Sequence, residues 1–452
     1  MHCCDGTVVC SDRSQPVIAP ESDRAAAAGD GLCPPGLLPC TRQVAATAAD
    51  ALPPQRLDVL VVGAGPAGAD LARQLAQAGA AVLLVDQLAD LSQAAFSSAA
   101  LPLASLDRFG LPAELVASRW HHWQLLGPGD QRRLWTAAQP LGVVLDFAAL
   151  RIWLADQAQR WGAQLRLGLR ALDCHQADQD WLVTRLRDRS GRVLHCRSRW
   201  VVDASGQSRA LLGEPPATEL LLSGVGVEWL LAVPTPIWRR WGDRLSFCLG
   251  SDWLPQGYGW IFPMGSGVLK VGLCRLEDQQ RQPPPLAPLL QRLLERTLGP
   301  ARSSGWSVLD RHGGRLRSTL QRREPHRRGR LIGLGDAVST ANLLGGEGIR
   351  HALSSSRVLA PLLLAALQTG SSQPLQAYPH QLRRCLGRRW SLSGRLARRT
   401  WLGLQDSRAD LRLERLLTGL ETQPAELLSA LLFDYRFERY GLRVLPYLLG
   451  WR

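Results

Sequence analysis

Residues 63–68, G-A-G-P-A-G, have the types and spacing to hold a pyrophosphate. They follow an apolar run, 57–62, that reads as a buried parallel strand, and they open a segment, 66–78, that reads as a helix. Gly63 lets the chain turn tightly, Gly65 lets the backbone approach a phosphate, and Gly68 lets the helix pack closely on the strand. Pro66 and Ala67 start the helix, whose free N–H groups and dipole favour an anion. A second strand, 80–86, ends in Asp86, where a carboxylate can accept a hydrogen bond from an adenosine ribose hydroxyl. Strand, glycine turn, helix, strand and terminal acid together predict a Rossmann-type β-α-β unit for a dinucleotide.

Three further stretches carry chemistry. G-L-G-D-A at 333–337 is followed by L-L-G-G-E-G at 343–348, V-V-D-A-S-G-Q-S-R occupies 201–209, and G-Y-G-W-I-F-P at 257–263 runs on to L-K-V-G-L at 269–273. In this order they resemble the p-hydroxybenzoate hydroxylase class of flavoproteins, and within it the geranylgeranyl reductase family of FAD-dependent oxidoreductases. The resemblance spans about residues 57–365. It implies FAD rather than NAD, because a nicotinamide enzyme needs no second, distant flavin loop. It implies that Gly335 and Asp336 reach the ribityl chain. It also implies that Gly345 and Gly346 let the backbone pass close to the flavin ring. The helix starting near Glu347 and Gly348 would aim its N-terminus at the ring, where a positive dipole stabilises negative charge. Gly206 belongs to the middle motif. Tyr258, Trp260 and Phe262 would line an isoprenoid cavity, where aromatics bury large apolar area at little entropic cost.

The implied reaction is reduction of isoprenoid double bonds, with electrons from NADPH or a reduced ferredoxin. No proton donor stands out. Tyr258, the only tyrosine before residue 378, is the cheapest candidate. Several departures from the family matter. Residues 87–110 contain no cysteine where a Cys-Gly-Gly stretch is usual, and the nearest polar pair is Ser97–Ser98. Met264 replaces a usual lysine, Asp146 stands where an arginine is usual before the helix at 147–161, and Ser205 precedes Gly206 where hydroxylases carry Asp. Asp203 either serves the cofactor or only caps its turn. A flavin monooxygenase, a halogenase, a lycopene cyclase-like flavoprotein and a non-catalytic flavin or lipid binder stay open as alternatives. The single lysine, Lys270, lies in the later sheet rather than early in the FAD domain, which disfavours halogenation.

These motifs require an α/β fold: a Rossmann-type FAD-binding domain with an inserted antiparallel β-sheet substrate domain and a helical C-terminal region. Residues 1–54 read as a disordered tail, 55–215 with 325–370 as the discontinuous FAD-binding domain, 216–324 as the β-rich substrate domain, and 371–452 as the helical region. Five of ten cysteines crowd the first forty residues without C-x-x-C or a His cluster, so no metal site is expected. The N-terminus lacks a charged segment followed by an apolar one, which reads as cytoplasmic rather than secreted. No apolar run is long enough to cross a membrane. The net charge of +14 is nearly all arginine and reads first as codon bias; no nucleic-acid-binding signature accompanies it. Residues 378–404 hold seven arginines and no acid, with Trp390 and Trp401 at near-helical spacing. That pattern suits a helix lying on an anionic membrane with its tryptophans at the headgroups, or a solvated basic face.

Overall fold

Leu57–Val62 is all but completely buried, as its unbroken apolar run requires, and forms the centre of an eight-stranded sheet. It pairs in parallel with Val82–Asp86 on one side and Val193–Asp203 on the other. Gln164–Leu167 and Leu331–Gly333 extend the parallel run outward. The helices Pro66–Gln77, Phe147–Arg160 and Ile349–Thr369 cover the sheet with alanine- and leucine-rich faces. A computed structural model describes residues 57–277 and 284–438, all within the unit formed by residues 38–452. The sequence-based tail at 1–54 and the end of the helical region, 439–452, lie outside the described residues.

The second sheet has seven strands, in the order Ser307–Thr319, Leu221–Ala232, Val268–Leu276, Gly257–Pro263, Arg244–Leu249, His122–Leu126 and Arg132–Thr136. Every neighbouring pair is antiparallel except Arg244–Leu249 with His122–Leu126. Two of its strands therefore come from the stretch 55–215 that the sequence reading gave wholly to the first domain. Their short mixed sequences, H-W-Q-L-L and R-R-L-W-T, name no particular sheet, so local pattern does not decide their partner. A three-stranded sheet, Ala100–Pro102, Gly142–Leu145 and Val116–Trp120, bridges the two halves.

After the long helix Ile349–Thr369 come Tyr378–Gly403, Ser407–Thr418 and Ala425–Leu432. Gly387, at φ 81°, breaks the first of these into two pieces. Their leucines and Trp401 pack on the aromatic face of the second sheet and make a core with Trp120, Trp123, Tyr258 and Phe262. Polar latches fix the rim. The Arg133 guanidinium binds Glu414 and Glu421, Ser251 binds Asp410 through its N–H (2.7 Å) and hydroxyl (2.6 Å), and Trp135 Nε1 donates to the Leu420 carbonyl at 3.0 Å. Trp390 and Trp401 are both buried. This corrects the expectation that they face a membrane: a large indole gains more from the core than from the surface, and the exposed residues of that helix are its seven arginines with His380, Gln381, Cys385 and Gly403.

Candidate functional site

At the C-terminal ends of the parallel strands lies a cleft of about 830 Å³, within the usual range of ligand sites of roughly 300–1,000 Å³. Its floor is the first glycine turn. Gly63 sits at φ 107°, and a Cβ there would stand 2.4 Å from the Ala204 carbonyl oxygen. A Cβ on Gly68 would stand 2.0 Å from the Gly63 oxygen. Both positions are closed by protein backbone. Gly65 and Gly206 differ, since nothing lies within 4 Å of where their Cβ atoms would be and both line the cleft. Backbone is thus left bare toward the place a ligand would occupy. Pro66 and Ala67 line the cleft beside them.

Asp86 lines the same cleft, with its carboxylate held by two backbone donors, Ala64 N at 2.8 Å and Leu88 N at 2.9 Å. Each oxygen keeps a lone pair for a ligand hydroxyl. Asp203 is different. It is fully buried and accepts from Ser205 N, Leu211 N and Leu212 N, at 3.1, 2.9 and 2.8 Å. Of the two roles left open for it, the structure gives it the turn.

At the far end, Asp336 borders both the cleft and a cavity of about 160 Å³ under the second sheet. Burial raises its pKa, against the Thr340 hydroxyl that donates to it at 2.9 Å. Gly335 faces neither space. At φ 63°, it lets this loop close on the first motif, and a Cβ there would be 2.8 Å from Ala67 Cβ. Gly345, Gly346 and Gly348 all line the cavity. The loop before the helix is closed by a two-way backbone bridge between Asn342 and Glu347, at 2.8 and 3.0 Å. The helix itself begins at Ile349 with Gly348 as its N-cap. The Glu347 side chain, expected near the cofactor, is turned to protein. It pairs with Arg350 and accepts from the Tyr435 hydroxyl at 2.9 Å. Burial alone would raise its pKa, but the Arg350 and His351 charges and the hydrogen bonds from Arg350 and Tyr435 together outweigh it and hold it low.

Sequence reasoning missed the groups that pin the distal loop. Arg322 donates to the carbonyls of Val338 (2.6 Å) and Ser339 (2.7 Å), and Arg209 donates to the Ala337 carbonyl and pairs with the buried Glu324 at 2.6 Å. It also missed Arg151, which lines the cleft one turn into the helix that Asp146 caps and donates to the Gln93 carbonyl at 3.0 Å. The available signal was an arginine among the apolar positions of a buried helix.

The cavity wall contains all three predicted aromatics, Tyr258, Trp260 and Phe262, with Ser97 and Ser98 opposite. Trp260 crosses Gly272, where a Cβ would lie 2.2 Å from the indole, and its N–H reaches Glu228 at 2.9 Å. The Tyr258 hydroxyl lies against Gly346 and has no hydrogen-bond partner among the described residues; burial pushes its pKa up. Tyr258, Phe247 and Gly345 also border a second cavity of about 190 Å³. Leu396, Leu413, Leu417, Leu428 and Trp401 of the C-terminal helices enclose that one.

A family profile described as "FAD binding domain" matches residues 56–389, well over half the chain. The chain belongs to the FAD-binding domain family. Its cleft fits that cofactor: two glycines leave backbone open, Asp86 is fixed at one end and Asp336 at the other. Among relatives, this FAD-binding protein is 27% identical over 363 residues to a menaquinone reductase of Mycolicibacterium smegmatis, covering 76% of this chain and 84% of the relative. It is 27% identical over 327 residues to a digeranylgeranylglycerophospholipid reductase of Haloferax volcanii, covering 67% and 74%. Its fold matches a geranylgeranyl bacteriochlorophyll reductase-like protein from Thermoplasma acidophilum, with TM-score 0.70 and 21% identity over 86% of this chain and 99% of that one. It also matches p-nitrophenol 4-monooxygenase from Pseudomonas putida, with TM-score 0.64 and 19% identity over 88% and 99%.

Proposed function

We propose that this chain is an FAD-dependent oxidoreductase that reduces double bonds of an isoprenoid. The observation that carries the reading is the apolar cavity of about 190 Å³, which shares Phe247, Tyr258 and Gly345 with the cavity beside Asp336. A space walled mainly by leucines suits a long hydrocarbon chain and offers a polar aromatic substrate little to bond beyond Thr400 and the Tyr258 hydroxyl. The relatives named as reductases of prenyl-bearing molecules support the same substrate class. Bound FAD, once reduced, supplies the hydride equivalent.

The chain's own residues do the rest. Leucines of the C-terminal helices hold the hydrocarbon and keep water out. Gly345 and Gly346 leave room for close approach, and Tyr258 is our candidate proton donor to the second alkene carbon. Burial keeps its hydroxyl protonated well beyond neutral pH. Electrons come from NADPH or a reduced ferredoxin, and the two are separated by supplying each in turn. The test is anaerobic incubation of holoprotein and reductant with geranylgeranyl diphosphate, geranylgeranylated lipid and menaquinone. Products heavier by two hydrogens per reduced bond are expected; recovery of every prenyl compound unchanged would sink the reading.

We infer further that the helix Tyr378–Gly403 docks on an anionic bilayer through its exposed arginines. No described helix is long and apolar enough to cross a membrane. Arg388, Arg395, Arg398 and Arg399 are exposed, while Leu396 of the same helix walls the apolar cavity. Each basic residue near such a surface contributes on the order of 1 kcal/mol, screened by salt. Co-sedimentation with anionic vesicles should weaken with salt and largely vanish when Arg388, Arg395, Arg398 and Arg399 become Gln, with FAD retained. Indifference of the unaltered protein to anionic vesicles at low salt would remove this part of the reading.

A further inference from the structure

Lys270 is the one lysine among 53 basic residues, and it is buried. It sits on Val268–Leu276, in register with Phe262 on one neighbouring strand and Leu230 on the other. Its Nζ leaves the sheet and donates to two carbonyls of the other half of the protein, Ser97 at 2.9 Å and Leu145 at 3.4 Å. Ser97 and Ser98 wall the cavity opposite the aromatics. Leu145 is two residues before Phe147, which walls the same cavity. Leu145 N donates to the Ala99 carbonyl at 3.0 Å, so the ammonium closes the end of a ladder already joining the two segments.

A counter-charge is built in. Glu228, fully buried on the next strand, faces Lys270 and accepts the Trp260 N–H. Burial pulls the lysine's pKa down and the glutamate's up, and each charge opposes the shift of the other. Asp146, beside Leu145, adds a second negative charge facing the lysine.

Packing alone does not account for this arrangement. Two opposite charges buried near each other commonly stabilise no more than apolar residues of similar volume, and a methionine would fill the same length. Every other Lys or Arg position is arginine, and the five donors of a rigid guanidinium would outnumber the two carbonyls that meet Lys270 here.

We propose that Lys270, with Glu228 as its counter-charge, is a positioning residue that bolts the Ser97–Ser98 wall and Phe147 to the aromatic floor of the reacting cavity. The proposal rests on the reductase reading only for its activity assay. Four holoprotein variants test it: Lys270→Met, Lys270→Arg, Glu228→Gln, and Lys270→Met with Glu228→Gln. Lys270→Met should keep FAD but lower kcat about 10-fold or more with KM little changed, because a wall shifted by a fraction of an ångström misplaces the reacting atoms. Lys270→Arg should not rescue. The double variant, which leaves no unpaired buried charge, should regain thermal stability but not kcat. The visible flavin absorption band should shift in Lys270→Met and in the double variant alike. Wild-type kcat together with an unshifted band in either would overturn the proposal. If no prenyl compound turns over, the reductase reading fails while the flavin band still decides the role of the lysine. On the unaltered holoprotein, Lys270 should resist reductive methylation until the fold is loosened, and ready methylation of the native protein would also overturn it.

Discussion

Along the dinucleotide cleft the protein presents backbone, and behind Tyr258 it presents side chains. The cleft is bordered by Gly63, Gly65 and Gly206, with two fixed carboxylates, Asp86 and Asp336. The apolar cavity is bordered by leucines from three helices and by Phe247, Leu249 and Tyr258 of the second sheet. A cofactor of fixed shape is met by short motifs in which a single Cβ would intrude. A flexible hydrocarbon is met by many interchangeable contacts, none of which is decisive alone. Substitutions should therefore act nearly all-or-none in the cleft and by degrees in the cavity.

The largest effect is expected at Gly68→Val. Its Cβ meets the Gly63 oxygen at 2.0 Å, which the turn cannot relieve. Loss of FAD and of about 3 kcal/mol or more of stability should follow, read by flavin retention and thermal melting. A yellow, stable variant would break the contrast at its strong end. Gly346→Val should come next. At φ 69°, with a Cβ 2.8 Å from the Tyr258 hydroxyl, the position rejects a β-branched side chain. Flavin affinity should collapse in a chain that still folds. Unchanged affinity would mean that the distal loop does not approach the cofactor.

On the graded side, Leu417→Trp in the cavity wall should retain FAD, cost about 1–3 kcal/mol by overpacking and raise KM for a geranylgeranyl substrate. A flavin lost with that change would show that the two regions are not separable. The smallest effect is a matter of pH. His326, buried behind the distal loop, is pulled from its ordinary 6.5 to about 3 by burial first and the Arg322 charge second. The folded protein keeps it neutral, so its contribution is whole above pH 6.5. It falls as pH drops and the unfolded chain takes the proton that the fold refuses. Between pH 6.5 and 5 this amounts to about 2 kcal/mol, absent in His326→Gln and visible as a shallower fall in Tm.

The contrast also explains what was legible in the sequence. Residues 63–68 and Asp86 are local signals, each readable within one turn or strand end, and the β-α-β unit at the centre of the eight-stranded sheet followed from them. Gly335, Asp336 and Glu347 came from a resemblance; Asp336 borders the cleft, whereas Gly335 and the Glu347 side chain are turned to protein. The strands His122–Leu126 and Arg132–Thr136 gave no hint of joining the second sheet, because a strand's pattern names a buried face and not a partner. Trp390 and Trp401 were read from helical spacing, which does not say whether a face meets core or solvent until the neighbours are known. The cavity needed residues 125, 247, 258, 344, 401, 417 and 432 at once, and no window of sequence contains them.

The central question is whether the apolar cavity delivers a prenyl chain to the cofactor. Anaerobic rapid mixing of flavin-reduced holoprotein with a geranylgeranyl substrate measures this directly. We expect reoxidation of the flavin in stoichiometric proportion to substrate in the unaltered protein, and markedly slower reoxidation in Leu417→Trp. A reduced flavin that ignores the prenyl substrate, yet is rapidly consumed by oxygen in the presence of a soluble aromatic, would contradict the account and favour a monooxygenase.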